Sequence, residues 1–239
     1  MGARTEDEDA MRRDPFYIKR YAKWNPKRLL PTLRGRLENR VSFYRFASYA
    51  LPIKSVDALP VLNYEPDWAN TALRRPDMQY LWWAWQICES EKIPGACIEV
   101  GCFRGVTTRF LAQTINPRPM FAVDPYRGYV GDERNYEFFC RNIQDLENIC
   151  HLHLTSGDAF RAWRYGPVAM VFIDAVHDYS NTRFDIEAWG SLLSPRGIIA
   201  AHDTDNRCFA GTRRAVYEAT RHGYDLLAHP SNLTFLRKW

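Results

Sequence analysis

Two apolar runs in this chain end abruptly in ionisable side chains. Val168-Ala-Met-Val-Phe-Ile leads directly into Asp174, with His177 three residues later, and Ile198-Ile-Ala-Ala leads into His202-Asp203. Short, uninterrupted apolar runs of this kind predict buried strands. A charge delivered at the end of a buried strand is costly unless something pairs with it. Two carboxylates and two imidazoles at strand ends are therefore hard to explain by packing, and they point to proton transfer. Imidazole takes up a proton near neutral pH, and a carboxylate beside it can orient the ring or hold the group that gives up the proton. His151, His153, His222 and His229 lie in no such setting, and Asp178 and Thr204 read as helix or turn caps.

A second cluster surrounds Ala96-Cys-Ile-Glu-Val-Gly-Cys-Phe-Arg-Gly-Val-Thr-Thr-Arg-Phe110. It predicts a strand ending at Val100, a turn from Gly101 to Gly105, and a helix from Val106. Glycine in such a turn lets a ligand approach the backbone at the carboxyl end of a sheet. A dinucleotide requires G-x-G-x-x-G, but counting from Gly101 the second and third positions hold Phe103 and Val106. Phenylalanine there obstructs a pyrophosphate, which weighs against an NAD-dependent oxidoreductase. Asp124 ends the next strand, about twenty residues beyond Gly105, where a carboxylate can accept both ribose hydroxyls of an adenosine ligand. Asp158 follows the third strand, and its carboxylate or the Ala159 amide is placed for an adenine edge; capping a helix is an equally common use of such an aspartate.

These groups need a scaffold that gathers strand ends. Strands are expected at 96–100, 120–124, 150–154, 168–174, 198–203, 224–228 and 233–236. Helices are expected at 76–92, 106–115, 135–146, 179–193 and 212–222, with a shorter one ending at Arg164. Ser194-Pro-Arg-Gly197 reads as a turn. The alternation predicts an α/β fold, a seven-stranded Rossmann-like sheet with helices on both faces. His229-Pro-Ser-Asn232 is only long enough for a hairpin-like return, so the last strand should run antiparallel. The helix from Pro76 is apolar on two sides, which predicts burial on two sides, against the N-terminal arm or in a homodimer interface.

The chain has 239 residues and a formal net charge of +4, enough length for one sizeable core in residues 76–239. Residues 1–75 form a basic, aromatic-rich extension and connecting region. Residues 1–11 are acidic and expected to be disordered. Residues 12–45 carry eleven Lys or Arg against Asp14 and Glu38, interleaved with aromatics, and Pro15, Pro26 and Pro31 are expected to break them into short pieces. Such an arm could meet nucleic acid or an anionic membrane face, although packing on the core is the commoner use. No apolar run approaches a membrane span or a secretory signal, and the six cysteines are scattered. Reduced thiols in a cytoplasmic protein are expected.

The motifs Ile-Glu99-Val-Gly101-Cys-Phe-Arg-Gly105, Ala-Val-Asp124-Pro-Tyr, Ser-Gly-Asp158-Ala-Phe, Phe-Ile-Asp174-Ala-Val-His177-Asp-Tyr, Asp185-Ile-Glu-Ala-Trp189 and His202-Asp203-Thr recur in register. Together they resemble the class I S-adenosylmethionine-dependent methyltransferases, in the macrocin O-methyltransferase-like (family 24) branch, over about residues 77–239. The resemblance implies that Glu99, Gly101 and Gly105 hold the methionine end of S-adenosylmethionine, Asp124 the ribose, and Asp158 with Ala159 the adenine, with Cys102 and Thr107 as further cofactor-binding residues. It implies O-methylation of a hydroxylated small molecule or sugar; imidazole chemistry then makes Asp174, His177, His202 and Asp203 the expected catalytic group, with His202 or His177 as general base. Metal-using relatives hold Mg2+ at positions matching Asp174, His202 and Asp203; a histidine in that set departs from magnesium's preference for oxygen. Alternatives are an RNA-binding protein or RNA methyltransferase working through the basic arm, an NAD-dependent oxidoreductase, and a cofactor-binding protein without turnover.

Overall fold

The computed structural model describes residues 26–127 and 131–239, with side chains from Leu33 onward. The acidic residues 1–11, the first half of the basic arm and three residues of the loop after Asp124 lie outside the described residues. The elements are α1 (Pro26–Phe46), α2 (Arg75–Ser90), β1 (Ala96–Val100), α3 (Val106–Ile115), β2 (Met120–Val123), α4 (Glu133–Ile143), β3 (Ile149–Leu152), α5 (Ser156–Ala162), β4 (Val168–Ile173), α6 (Tyr179–Leu192), β5 (Leu193–His202), α7 (Ala210–Ala219), β6 (Tyr224–Ala228) and β7 (Leu233–Lys238).

The seven strands form one sheet in the order β3-β2-β1-β4-β5-β7-β6. Strands β1 to β5 pair in parallel, and β7 runs antiparallel to both β5 and β6. The alternation of side chains divides the core. Cys97, Phe172 and Ala200 join one cluster with α2 and α3. Their neighbours Ile98, Ile173 and Ala201 join another with α6 and α7. A strand buried on both faces has no polar positions to spare, which is why these runs read as uninterrupted hydrophobics.

Three expectations need correction. Pro26 and Pro31 do not divide the arm: α1 is one continuous helix of 21 residues. Pro26 sits at its first position, where no amide is needed, and Pro31 lies in the second turn, where it removes a single ladder bond. Ser194-Pro-Arg-Gly197 is not a turn between elements but lies inside β5. Val168 pairs with Leu193 and Met170 with Ile198, so the extra residues form a bulge, with Arg196 left-handed at φ 66°. The connecting segment, rather than the basic arm, covers α2: Val56, Leu59, Leu62, Tyr64 and Trp68 pack against the cluster that α2 joins.

Helix α1 lies on the opposite side, against α6 and α7. The Arg214 guanidinium pairs with Glu38 at 2.8 Å, and Arg213 donates to the carbonyls of Phe46, Ala47 and Tyr49. Arg213 is 4% exposed, and these bonds close the last turn of α1, whose carbonyls have no partner within the helix. Among the described residues, no helix is long and apolar enough to cross a membrane.

Candidate active site

The site is built at the carboxyl ends of β1, β2, β4 and β5. Gly101 leaves β1 at φ +93°, and a β-carbon on it would stand 2.3 Å from the Asp174 carbonyl oxygen. Glycine is thus required for the β1 turn to touch the end of β4. Gly101→Ala is expected to cost about 2 kcal/mol through left-handed strain and this overlap, read as a lower urea midpoint with an unchanged slope. Gly105, at φ +77°, starts α3 with its α-carbon face against the Phe139 ring.

Asp124 ties the turn down. One carboxylate oxygen accepts from the Cys102 and Phe103 amides at 3.0 and 3.2 Å, and the other from the Tyr126 amide at 2.8 Å. Burial raises its carboxyl above the ordinary value against the opposing pull of these three amides. Three of its roughly four acceptor positions are occupied, so bidentate capture of two ribose hydroxyls is more than it has room for. Phe103 and Tyr126, both held by this carboxylate, are left-handed at φ 47° and 45°. Bulky residues seldom adopt that conformation, and strain of this kind concentrates at ligand sites.

Three cavities adjoin along these strand ends. A narrow slot of about 80 Å3 is bounded by Gly101, Asp124, Tyr126, Ser156, Asp174 and Asp185. A roomier chamber of about 320 Å3 shares Gly101, Phe103, Asp174 and Ala175 with the slot and adds Glu99, Cys102, Thr107, His177, His202 and Asp203. A third cavity meets the chamber at His177 and Phe209. Asp158 and Ala159 do not line the slot. Asp158 pairs with Arg161 at 2.6 Å and accepts from the Thr155 hydroxyl, while Thr155 itself caps α5, and Ala159 is fully buried in the core. The slot wall there is Thr155 and Ser156. Asp185, 3% exposed, accepts from the Ser156 hydroxyl, which in turn accepts from the Trp189 indole at 2.9 Å. The quoted run Asp185-Ile-Glu-Ala-Trp189 carried that signal without showing its purpose. Tyr126, Arg127, Gly131 and Asn135 of the loop after β2 line the slot, and none of the tryptophans of α2 lines these cavities.

In the chamber, Glu99 is 1% exposed and accepts from the Thr108 hydroxyl. Burial pushes its carboxyl well above the ordinary range, Thr108 works against this, and the charges of Asp174 and Asp124 add to it. Cys102 is likewise buried, and burial pushes its thiol up, away from a reactive thiolate.

The four strand-end groups do come together. His202 Nδ1 lies 3.1 Å from Asp174 and 3.8 Å from Asp203. His177 Nε2 lies 3.3 Å from Asp203 and 3.7 Å from Asp174. The Asp203 carboxylate also accepts from Asn232 at 2.7 Å, which orients it. Burial lowers the affinity of His202 for a proton, but the charge and hydrogen bond of Asp174, then the charge of Asp203, outweigh it and raise the pKa to about 9. Asp174 is held below its ordinary value: burial acts against its charge, and His202 and His177 overcome that. The raised pKa favours the protonated form of His202 beside Asp174, which makes it the poorer candidate for a base at neutral pH.

This pair makes stability pH-dependent. The contribution of His202 is complete below its unfolded pKa of 6.5 and is lost as pH rises through about 9. That of Asp174 is present above its ordinary value of 3.8 and lost as pH falls below it. Between pH 6 and 10 the folded state should lose on the order of 3 kcal/mol, measured as the urea midpoint, with the drop flattened in His202→Gln.

Among the described residues, donor atoms of Asp174, His177 and Asp203 converge within 4.8 Å of one another. This differs from the expected set by holding His177 in place of His202. One imidazole with two carboxylates fits a first-row transition ion better than magnesium, and nothing in the geometry supports magnesium.

The methyltransferase domain family model matches residues 98–204, the segment from β1 to the residue after Asp203. The match covers a little under half of the chain. The methyltransferase domain thus contains the glycine turn, Asp124 and all four strand-end groups. The uncharacterized protein y4gI of Sinorhizobium fredii is 26% identical over 123 residues, 48% of this chain, and the match spans only 14% of that relative's length. Among solved structures, the O-methyltransferase NovP superposes with a TM-score of 0.59 at 17% identity, over 71% of this chain and 82% of its own. The O-methyltransferase of Bacillus cereus in complex with SAH gives 0.52 at 14% identity, over 71% and 85%. Cofactor-bound Rv0187 from MTB gives 0.55 at 16% identity, over 91% and 98%. At these identities the likeness establishes the methyltransferase fold.

Proposed function

We propose that this methyltransferase moves a methyl group from S-adenosylmethionine to a hydroxyl oxygen of a small molecule or sugar. The observation that carries this reading is the unbroken row of cavities, from the slot at Asp124 to the chamber at Asp174, His177 and Asp203. A slot beside a strand-end carboxylate suits an adenosine, and a chamber floored by an imidazole between two carboxylates suits a hydroxyl that must lose its proton. The O-methyltransferase neighbours, one of them bound to SAH, point the same way. The reading assigns methyl transfer to residues 76–239 and leaves the extension as a separate contributor.

The residues fit the cofactor in two respects. Asp124 keeps room for one further hydrogen bond. Glu99 is a buried carboxyl at the chamber wall whose charge an ammonium would stabilise. When bound, S-adenosylmethionine supplies an electrophilic methyl on a positive sulfur. The chain then has two tasks: to align the hydroxyl for an in-line approach and to take its proton. His177 Nε2 is the group placed to accept that proton. Asp203 and Asp174, within 3.3 and 3.7 Å, stabilise the resulting imidazolium. Asp174 in turn is kept ionised by His202.

Calorimetric titration of S-adenosylmethionine in the presence of a chelator tests the reading directly; micromolar binding is expected, unchanged by added magnesium. Glu99→Gln, which removes the carboxylate that an ammonium would pair with, should weaken the binding. Absence of binding by folded protein would refute the reading.

A further inference from the structure

Beyond His177 lies the third cavity, of about 400 Å3, and its far wall is α1. Arg36, Asn39 and Phe43 line it from spacings of three and four, hence from one helix face. Val176 and Phe209 line it from the other side. None of the three α1 residues falls within the matched segment 98–204. The Phe209 ring packs on the His177 imidazole with centroids 4.6 Å apart. Asn39 accepts from the Tyr179 amide at 3.1 Å, which fastens α1 to the start of α6, two residues past His177. Phe43 is 49% exposed despite its size. Phe43 and Phe209 both line the cavity, and two apolar rings there offer surfaces for a flat or puckered ring ligand.

Charge adds a second requirement. The α1 sequence carries six Lys or Arg against Glu38, and Arg36 is the one that lines the cavity. Asp178 also lines it, but its carboxylate faces α6, accepting from the Asn181 amide at 3.0 Å and the Asn181 side chain at 2.8 Å. A guanidinium presents a planar fork that matches a carboxylate or phosphate.

We propose that this cavity is the acceptor subsite, that α1 sets its specificity, and that it takes a hydroxylated ring bearing an oxyanion. This rests on the methyl-transfer reading above. The ring lies between Phe43 and Phe209, the oxyanion meets Arg36, and a hydroxyl points to His177.

The test is titration of the full chain, saturated with SAH, with two matched pairs of probes: 3,4-dihydroxybenzoate against 3,4-dihydroxybenzamide, and glucose 1-phosphate against methyl glucoside. The anionic member of at least one pair should bind about fivefold more tightly than its neutral partner. Which pair discriminates separates a carboxylate from a sugar phosphate. Arg36→Gln should abolish the preference, and Phe43→Ala should weaken acid and neutral probes alike. Equal binding within both pairs, no binding of any probe, or a preference that survives Arg36→Gln would overturn the proposal. SAH titration of each protein separates the levels: SAH bound without anion preference refutes this subsite alone, whereas no SAH binding refutes the methyl-transfer reading and the subsite with it.

Discussion

Turnover in His177→Ala should fall about 10²- to 10⁴-fold, the ordinary contribution of a positioned general base, while affinity for S-adenosylmethionine stays at the wild-type level. The pKa of His202 is raised to about 9 by Asp174 and Asp203 against the effect of burial, which favours its protonated form and makes it the poorer base at neutral pH. His177 lies between Asp203 and Asp174 at the junction of two cavities, where a proton gained is stabilised by both carboxylates. His202→Gln should slow the reaction less, because it acts through Asp174. Full turnover in both variants would eliminate imidazole as the base.

Asp174→Ala should be the most damaging single substitution for fold and activity together. It leaves His202, 5% exposed, without its carboxylate. Breaking a buried pair from one side typically costs more than the pair contributed. Imidazole can limit the loss by shedding its proton, so the expected destabilisation is about 3 kcal/mol at pH 6 rather than the upper end of that range. The cost should shrink toward pH 10, where the wild-type pair has itself dissolved. A penalty that stayed constant with pH would show that Asp174 matters for packing or backbone position and not for the His202 charge. Activity should drop below that of His177→Ala, since Asp174 both orients the pair and borders slot and chamber. Asp174→Asn, which keeps the shape, should recover part of the stability but not the turnover.

Local sequence determined a large share of this protein. Strands β1 and β4, buried on every residue, read as strands because a parallel sheet covered on both faces admits no polar position. Helix α3 begins at Val106 and ends at Ile115, as the glycine turn and Asn116-Pro117 dictate. The strand-end groups Asp124, Asp174, His202 and Asp203 were legible because a charge after a buried run must have a use. Where local chemistry offered two outcomes, sequence did not decide. Pro31 could end a helix or sit in its second turn, and Ser194–Gly197 could turn the chain or bulge a strand; partners distant in sequence settled both, α6 and α7 for the helix and β4 for the bulge.

The division of labour between His177 and His202 was also beyond sequence. Both are histidines near strand ends, and what separates them is a 3.1 Å contact with Asp174 and the burial around it. Electrostatic fate depends on through-space distance, which spacing along the chain does not encode. The same holds for Asp124, whose carboxylate is largely occupied by backbone amides, and for α1. Nothing in residues 26–46 announces a cavity wall. They become one only because Arg213 and Arg214 fasten that helix beside the loop that carries His177.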